Sequence, residues 1–276
     1  MEKYIRIMEQ RHKLEQGMAV LLEREDICIA FSGGVDSGVL LKAACEAAVG
    51  TGHQVHAVTF ETSLHPQADL ADARHQATEI GAVFHVLHVN EHENTAILDN
   101  PVDRCYLCKK YMFQKLIEYA ASLGIHHILE GSNEDDKHMY RPGLRAIREL
   151  GVLRPLAELC ITKAEVRRLA GFYGLRTASK PSAPCLATRL PYGARIDFAV
   201  LAKIDQGERW MKGLGFEIVR LRLHGQVLRI EIPKDRFPEF MGDADAITSY
   251  MKGLGFDYVT LDMEGFRSGS MDIHVK

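Results

Sequence analysis

The first apolar run of the chain, Ile27-Cys28-Ile29-Ala30, leads directly into Phe31-Ser32-Gly33-Gly34-Val35-Asp36-Ser37, and this junction constrains the fold around it. It predicts a buried strand, a tight glycine turn, and a helix opening at Ser37-Gly38-Val39-Leu40-Leu41. Such a junction is an anion site, because backbone N–H groups and the positive end of the helix dipole point at the same spot. Adjacent Gly33 and Gly34 let the backbone approach an oxyanion with no Cβ in the way. Ser32 and Ser37 add hydroxyl donors, and Asp36 can carry a metal ion or fix the turn. The run has neither the Gly-x-x-x-x-Gly-Lys-Ser/Thr spacing of a Walker A loop nor the Gly-x-Gly-x-x-Gly of a dinucleotide fold.

Strand-like and helix-like segments alternate from there. Val55–Phe60 reads as a second strand, residues 66–80 as a helix, and Val83–Val89 as a third strand. Residues 105–122 read as a helix and His127-Ile128-Leu129-Glu130-Gly131 as a fourth strand, while residues 2–24 form a leading helix. This predicts an α/β fold: a parallel sheet with helices on both faces and ligands beyond the carboxyl ends of its strands. The glycine loop lies at such an end, as does the polar cluster Glu130–Asp136. At Lys180-Pro181-Ser182-Ala183-Pro184 the pattern breaks, so residues 1–180 are expected to form one domain and 181–276 a smaller α+β domain. In the latter, Met211-Lys212-Gly213-Leu214-Gly215-Phe216 recurs letter for letter as Met251-Lys252-Gly253-Leu254-Gly255-Phe256. Each copy predicts a helix stopped by glycine and a strand after it, Glu217–Leu223 or Asp257–Met263. Gly225-Gln226 predicts a hairpin turn into Val227–Ile232.

A formal charge of −3 argues against a broad nucleic-acid surface, and no apolar run is long enough for a membrane helix. The charged start, Met1–Gln10, does not read as a leader. Six cysteines without a secretory signal point to a reducing compartment, the cytoplasm, where cysteine spacing speaks for metal binding or catalysis. Cys105-Tyr106-Leu107-Cys108 opens the helix 105–122, so its thiols share one face at a helix end that favours thiolates. Cys185 is the candidate third ligand, whereas Cys28, Cys45 and Cys160 read as packing residues. Spacing leaves three occupants open: a cluster with one iron unligated by protein, a zinc ion needing a fourth ligand, or a redox pair.

The run Ser32–Ser37 resembles the pyrophosphate loop of the PP-loop ATP pyrophosphatases. With Tyr140-Arg141-Pro142-Gly143, Thr188-Arg189-Leu190-Pro191-Tyr192-Gly193 and Gly265-Phe266-Arg267-Ser268-Gly269, the chain from about residue 25 to 270 is similar to the LarE family. That resemblance implies an adenine nucleotide alpha-hydrolase-like fold and an ATP-dependent sulfur transferase. A carboxylate of a pyridinium dicarboxylate mononucleotide would be adenylylated, and sulfur would then displace AMP to give a thiocarboxylate. It implies ATP and Mg²⁺ as ligands and an ATP site drawn from Ala30, Ser32, Gly33, Gly34, Asp36, Ser37, Thr59, Gly131 and Arg141. Cys105, Cys108 and Cys185 fall where one branch of the family holds a [4Fe–4S] cluster, with zinc the alternative occupant. In the other branch a cysteine near Cys185 gives up its own sulfur.

Arg220 and Arg222 alternate on one predicted strand and so share a face. With Arg189, added by resemblance, they are expected to hold the substrate phosphate through their guanidinium forks. A solvated strand face paired with carboxylates is the other reading. The resemblance also adds Glu208 to the expected catalytic set of Asp36 and Cys185. Sulfide or an external sulfur donor is the expected second partner, and a trimer or hexamer the expected assembly. Three other functions compete with this one. A tRNA thiolase would need a large basic surface, an ammonia-using PP-loop synthetase would leave the cysteine trio unexplained, and a zinc-stabilised nucleotide-binding protein would release no pyrophosphate.

Overall fold

The structure, a computed structural model, describes residues 2–65, 68–138, 141–176, 185–267 and 270–271. The break at Lys180–Pro184, the 180/181 boundary, Tyr140 and the pair Ser268-Gly269 lie outside the described residues. Two compact units are present. One gathers Met1–Thr62, Gln67–Asn94 and Cys105–Ala183, and the other Ser63–Pro66, Thr95–Arg104 and Pro184–Lys276.

In the first unit the order is α1 (Glu2–Leu22), β1 (Ile27–Ala30), α2 (Val35–Ala48), β2 (Val55–Glu61), α3 (Ala68–Ile80) and β3 (Val83–His88). It continues with α4 (Arg104–Ser122), β4 (His127–Leu129), α5 (Gly143–Glu149), α6 (Pro155–Glu158) and α7 (Lys163–Phe172). The four strands form one parallel sheet in the order β3-β2-β1-β4, with Ile27 opposite both Val55 and His127. Because side chains alternate along a strand, β1 serves two cores. Ile27 and Ile29 pack with Leu14, Leu22, Leu40, Leu41 and Val166 of α1, α2 and α7. Cys28 faces the other way, into Val58, Phe113, Leu116 and Ile128 beside α4. This is the expected α/β arrangement, with both sheet faces covered.

The fourth strand ends at Leu129, earlier than predicted. On its outer side Leu129 bridges in parallel to Leu153, and Glu130 N–H bonds the Leu153 carbonyl at 2.9 Å. Burial of the Cys28 thiol raises its pKa to about 12, and burial raises that of Cys45 to about 11; both are inert packing groups, as expected. Cys160 differs from expectation. It is exposed and left-handed (φ 53°), just past the end of α6, a conformation the letter Cys gives no reason to expect.

In the second unit, Asn100 and Leu98 carbonyls accept from Gly193 N–H (2.9 Å) and Ile196 N–H (2.7 Å), and buried Asn100 donates to the Pro191 carbonyl at 2.7 Å. There follow α8 (Phe198–Gly213), β5 (Arg220–His224), β6 (Val227–Glu231), α9 (Phe237–Gly242), α10 (Ala244–Gly253) and β7 (Tyr258–Leu261). The sheet order is β5-β6-β7, antiparallel then parallel, a small α+β unit. The repeated hexapeptide builds the same helix stop twice. Gly215 (φ 93°) and Gly255 (φ 94°) take the left-handed position, and their N–H groups bond the carbonyls of Lys212 and Lys252 at 2.9 Å. Phe216 and Phe256 N–H groups return to Met211 and Met251, which are fully buried. These bonds satisfy the last carbonyls of α8 and α10. Trp210 and Tyr250, each just before its repeat, stack with centroids 4.1 Å apart. Strands β5 and β7 start later than predicted, at Arg220 and Tyr258.

Candidate functional site

The glycine loop lies at the carboxyl end of β1. Phe31 N–H bonds the Val58 carbonyl at 2.8 Å, and the Thr59 hydroxyl donates to the Phe31 carbonyl at 2.6 Å. Thr59 therefore staples β2 to the start of the loop; it is buried and β2 runs two residues past it. Ser37, at the opening of α2, receives the Ser32 N–H (3.3 Å), lies 3.2 Å from the Ser32 hydroxyl and donates to the Gly34 carbonyl (3.2 Å). Gly33 is left-handed (φ 69°), and a Cβ there would come within 3.2 Å of Ala73 Cβ on α3. Both strain and space require glycine at that position. Gly131 answers a different need: its Cβ would lie 2.8 Å from Ser37 N and 3.1 Å from Asp36 C. The chain leaving β4 thus backs directly onto the loop.

The Glu130–Asp136 cluster is built by internal hydrogen bonds. Glu130 accepts from Ser132 N–H (3.2 Å) and Lys109 (3.3 Å), and Asp136 accepts from Asn133 N–H (3.1 Å) and pairs with Arg141 (3.0 Å). Asn133 reaches the loop itself, donating to Asp36 Oδ1 at 3.0 Å, while Lys163 Nζ donates to Asp36 Oδ2. The sequence-predicted residues Ala30, Ser32, Gly33, Gly34, Asp36, Ser37, Thr59 and Gly131 therefore come together in one unit, and Arg141 joins them through Asp136. Sequence reasoning missed Asn133 and Lys163 as loop partners. The available signal for Lys163 was the capping box Thr162-x-x-Glu165, which marks a helix start, with both of its bonds present.

Cys105 and Cys108 occupy the first turn of α4, Cys105 exposed and Cys108 half-buried 3.6 Å from Met112 Sδ. The turn is held from α5. Arg145 stacks on the Tyr106 ring at 3.6 Å, Tyr106 donates to Glu149 at 2.7 Å, and a Cβ at Gly143 would meet Lys109 Cδ at 3.0 Å. In the second unit, Cys185 is half-buried and caps the turn Leu186–Arg189. Its carbonyl accepts from the Thr188 hydroxyl (2.8 Å) and from Arg189 (3.3 Å). Among the described residues, no three His, Cys, Asp or Glu side chains are gathered closely enough to hold a metal ion.

The second unit also contains a largely buried cluster of charges. Arg189 (2% exposed) presents its guanidinium fork to Glu208 (3%), with both bonds 2.8 Å, and Glu208 also accepts from Leu221 N–H at 2.9 Å. Arg222 donates to Glu231 and to the Thr188 carbonyl, each at 2.7 Å; Glu231 is fully buried and was not anticipated. Arg220 lies over the Phe266 ring at 5.4 Å, with no carboxylate in ion-pairing distance among the described residues. Burial first, and then the neighbouring Arg189 charge, lower its pKa. A site of this kind suits a dianion, which would relieve like-charge repulsion among the arginines.

No family model matches the chain. The chain is 37% identical over 263 residues to the uncharacterized protein slr1717 of Synechocystis, covering 94% of this chain and 97% of that one. It is 34% identical over 255 residues to pyridinium-3,5-bisthiocarboxylic acid mononucleotide synthase of Lactiplantibacillus plantarum, covering 92% of each. The tRNA-specific 2-thiouridylase MnmA of Rickettsia bellii is 28% identical over 197 residues, 56% of this chain and 51% of that protein. Agreement across nearly the whole of both chains, around an intact phosphate loop, carries the assignment: the chain belongs to the LarE family of the PP-loop superfamily and is an enzyme of ATP-dependent sulfur transfer that uses ATP and Mg²⁺.

Proposed function

We propose that this enzyme adenylylates a carboxylate of a pyridinium dicarboxylate mononucleotide and replaces the AMP with sulfur, giving a thiocarboxylate. The observation that carries the reading is the buried cluster of Arg189, Arg220 and Arg222 around Glu208 and Glu231. Two of the three arginines are paired with Glu208 and Glu231, which leaves Arg220 as the excess cation; one net positive charge in a chain of net charge −3 suits a single phosphate group and not an RNA backbone.

The loop Ser32–Ser37 holds the β,γ-phosphates, and Asp36 carries Mg²⁺. The substrate carboxylate attacks the α-phosphorus, the bond to pyrophosphate breaks, and an acyl-adenylate forms. A sulfur nucleophile, supplied as sulfide or by an external donor, then attacks the acyl carbon; the C–O bond to AMP breaks and AMP leaves with the electron pair. Both nucleophiles are anions, so no residue has to act as a strong base. The protein contributes positioning and charge neutralisation. Thr59 and Ala30 border the adenine end, Gly131 supports the loop, and Arg141 adds charge beside Asp136. Glu208 acts by aiming Arg189.

We assign Cys105, Cys108 and Cys185 as the ligands of a [4Fe–4S] cluster. The support is the chemistry of the donors, since thiolates are the ordinary ligands of such a cluster, while among the described residues no three metal-ligating side chains are gathered; if bound, the group would supply a sulfide for transfer. In this reading residues 1–180 form the nucleotide domain and 181–276 hold the substrate phosphate and the contacts of a trimer or hexamer. The enzyme works in the cytoplasm.

The test combines product and metal. After anaerobic purification and reconstitution, the enzyme with Mg·ATP, sulfide and the pyridinium dicarboxylate mononucleotide is expected to yield AMP, pyrophosphate and a thiocarboxylate in equal amounts. About four irons per chain are expected, lost or labile in Cys185→Ser. ADP in place of AMP would overturn the reaction. Zinc in place of iron would overturn the cluster, and loss of a sulfur from Cys185 in each turnover would make that residue the donor.

A further inference from the structure

The arginine cluster of the second unit hangs on one short turn. Thr188 receives two of its arginines: the hydroxyl accepts from Arg189 at 2.9 Å, and the carbonyl accepts from Arg222 at 2.7 Å. The turn that carries it, Leu186–Arg189, is four residues long, too short to hold its shape by its own hydrogen bonds. Contacts from outside the turn must fix where the two guanidinium groups stand.

Asn100 supplies them, from a distant stretch of chain within the same compact unit. It is fully buried and its backbone is left-handed (φ 48°), a conformation Asn tolerates better than most residues with a side chain. Its side-chain amide donates to the Leu190 carbonyl at 3.3 Å and to the Pro191 carbonyl at 2.7 Å, and its amide oxygen accepts from Arg104. Its backbone is engaged as well: the N–H bonds the Ile97 carbonyl and the carbonyl accepts from Gly193 N–H, each at 2.9 Å. Arg104, 2% exposed, reaches on to the Ala187 carbonyl at 3.4 Å. The pair thus grips carbonyls on both sides of Thr188 and Arg189. Keeping a buried amide at a left-handed position costs free energy, and a loop that only joined two elements would have no use for it. The donor pattern is also specific: two amide hydrogens meet two carbonyls, and the amide oxygen meets a cation. Asp would keep the shape and the bond from Arg104 but set a carboxylate oxygen against both carbonyls. Gly would keep the backbone and lose all three side-chain bonds.

We propose that Asn100, together with Arg104, is the positioning residue of the substrate-phosphate site. It fixes the turn through which Thr188 aims Arg189 and Arg222, and so sets the affinity for a phosphate dianion without touching the ligand. The inference rests on the reading of Arg189, Arg220 and Arg222 as that site.

The test is calorimetric binding of ribose 5-phosphate, with ribose as the uncharged reference and Mg·ATP as the reference for the glycine loop. It uses the full chain and the variants Asn100→Gly, Asn100→Asp, Arg104→Lys and Arg220→Gln, each titrated well below its melting transition. Both Asn100 variants should bind ribose 5-phosphate about tenfold or more weakly, the worth of one charge-assisted hydrogen bond, with Mg·ATP affinity changed less than about twofold. Arg104→Lys, which keeps the buried charge and removes the fork between Asn100 and Ala187, should show the same split to a smaller degree. A folded Asn100 or Arg104 variant with wild-type affinity for ribose 5-phosphate would overturn the proposal. Equal losses for ribose 5-phosphate and Mg·ATP would also overturn it, by making Asn100 a support of the whole fold. A wild type that binds ribose 5-phosphate no better than ribose, or binding that survives Arg220→Gln, would overturn the phosphate-site reading itself.

Discussion

At the scale of single residues, this protein spends buried space on charge and on the absence of side chains. Removing one partner of a buried ion pair such as Arg189–Glu208 typically costs about 3–5 kcal/mol, because the other charge is left uncompensated. Such a pair is kept for what it aims, and Glu208 holds the Arg189 fork and β5 through one carboxylate. Gly131 is the converse case. Its backbone is unstrained, yet a Cβ would lie 2.8 Å from Ser37 N and 3.0 Å from Ser37 Cα, and neither atom can move without moving the phosphate loop. Gly131→Ala is expected to weaken ATP binding by tenfold or more, on the order of 1–3 kcal/mol, with a stability loss of the same order. Calorimetric ATP titration and thermal melting check this. An unchanged ATP affinity would show that the loop does not depend on its support from β4.

At the scale of elements, the sheet carries a chain of polar groups on its α4 face. Asp26 Oδ2 meets His56 Nε2 at 3.1 Å, His56 Nδ1 meets His85 Nε2 at 2.9 Å, and His85 Nδ1 meets the Tyr119 hydroxyl at 2.8 Å. His53 and Gln54 N–H complete the surroundings of Asp26. Every bond in this chain is satisfied with both rings neutral. Burial, then the adjacent His56, lower the pKa of His85. Burial raises that of Asp26, but the bonds from Gln54, His56 and His53 outweigh it and the net shift is downward. For a histidine whose folded value is depressed, the unfolded chain binds the proton more readily. Its contribution is therefore complete above about pH 6.5 and fades as pH falls toward the folded value. Asp26 adds a loss in the same direction at lower pH. The melting temperature should drop on acidification from about pH 7 to 5, and His85→Gln should flatten that slope. A slope unchanged by the substitution would remove His85 from the account.

Legibility in the sequence also divides by element. The four parallel strands were readable because each is a short β-rich apolar run beside polar punctuation, and the two stops at Gly215 and Gly255 because only glycine takes φ near 93° at such a position. The helices α5 to α7 were not read. They are 7, 4 and 10 residues long, and segments of that length are set by tertiary packing more than by local preference. The end of β4 at Leu129 likewise differs from the predicted Gly131, since the apolar run gives no signal for where pairing with β1 stops. Among site residues, the loop and the paired cysteines declared themselves by spacing. Lys163 and Glu231 did not, because a lone Lys or Glu is ordinary until its partner, far away in the chain, is known.

At the scale of the molecule, the two units carry complementary chemistry. In the proposed reading, one carries the loop for the pyrophosphate end of ATP, and the other an arginine–glutamate cluster for the phosphate of a second nucleotide. Two such sites would match a reaction that joins two nucleotides briefly through an acyl-adenylate and then parts them. The measurement that tests this most directly uses substrate carrying heavy oxygen in its carboxylate, with mass analysis of the AMP released. If the carboxylate attacks the α-phosphorus, one labelled oxygen leaves in AMP. Unlabelled AMP, with thiocarboxylate still formed, would mean that the carboxylate is not adenylylated and would contradict the central claim.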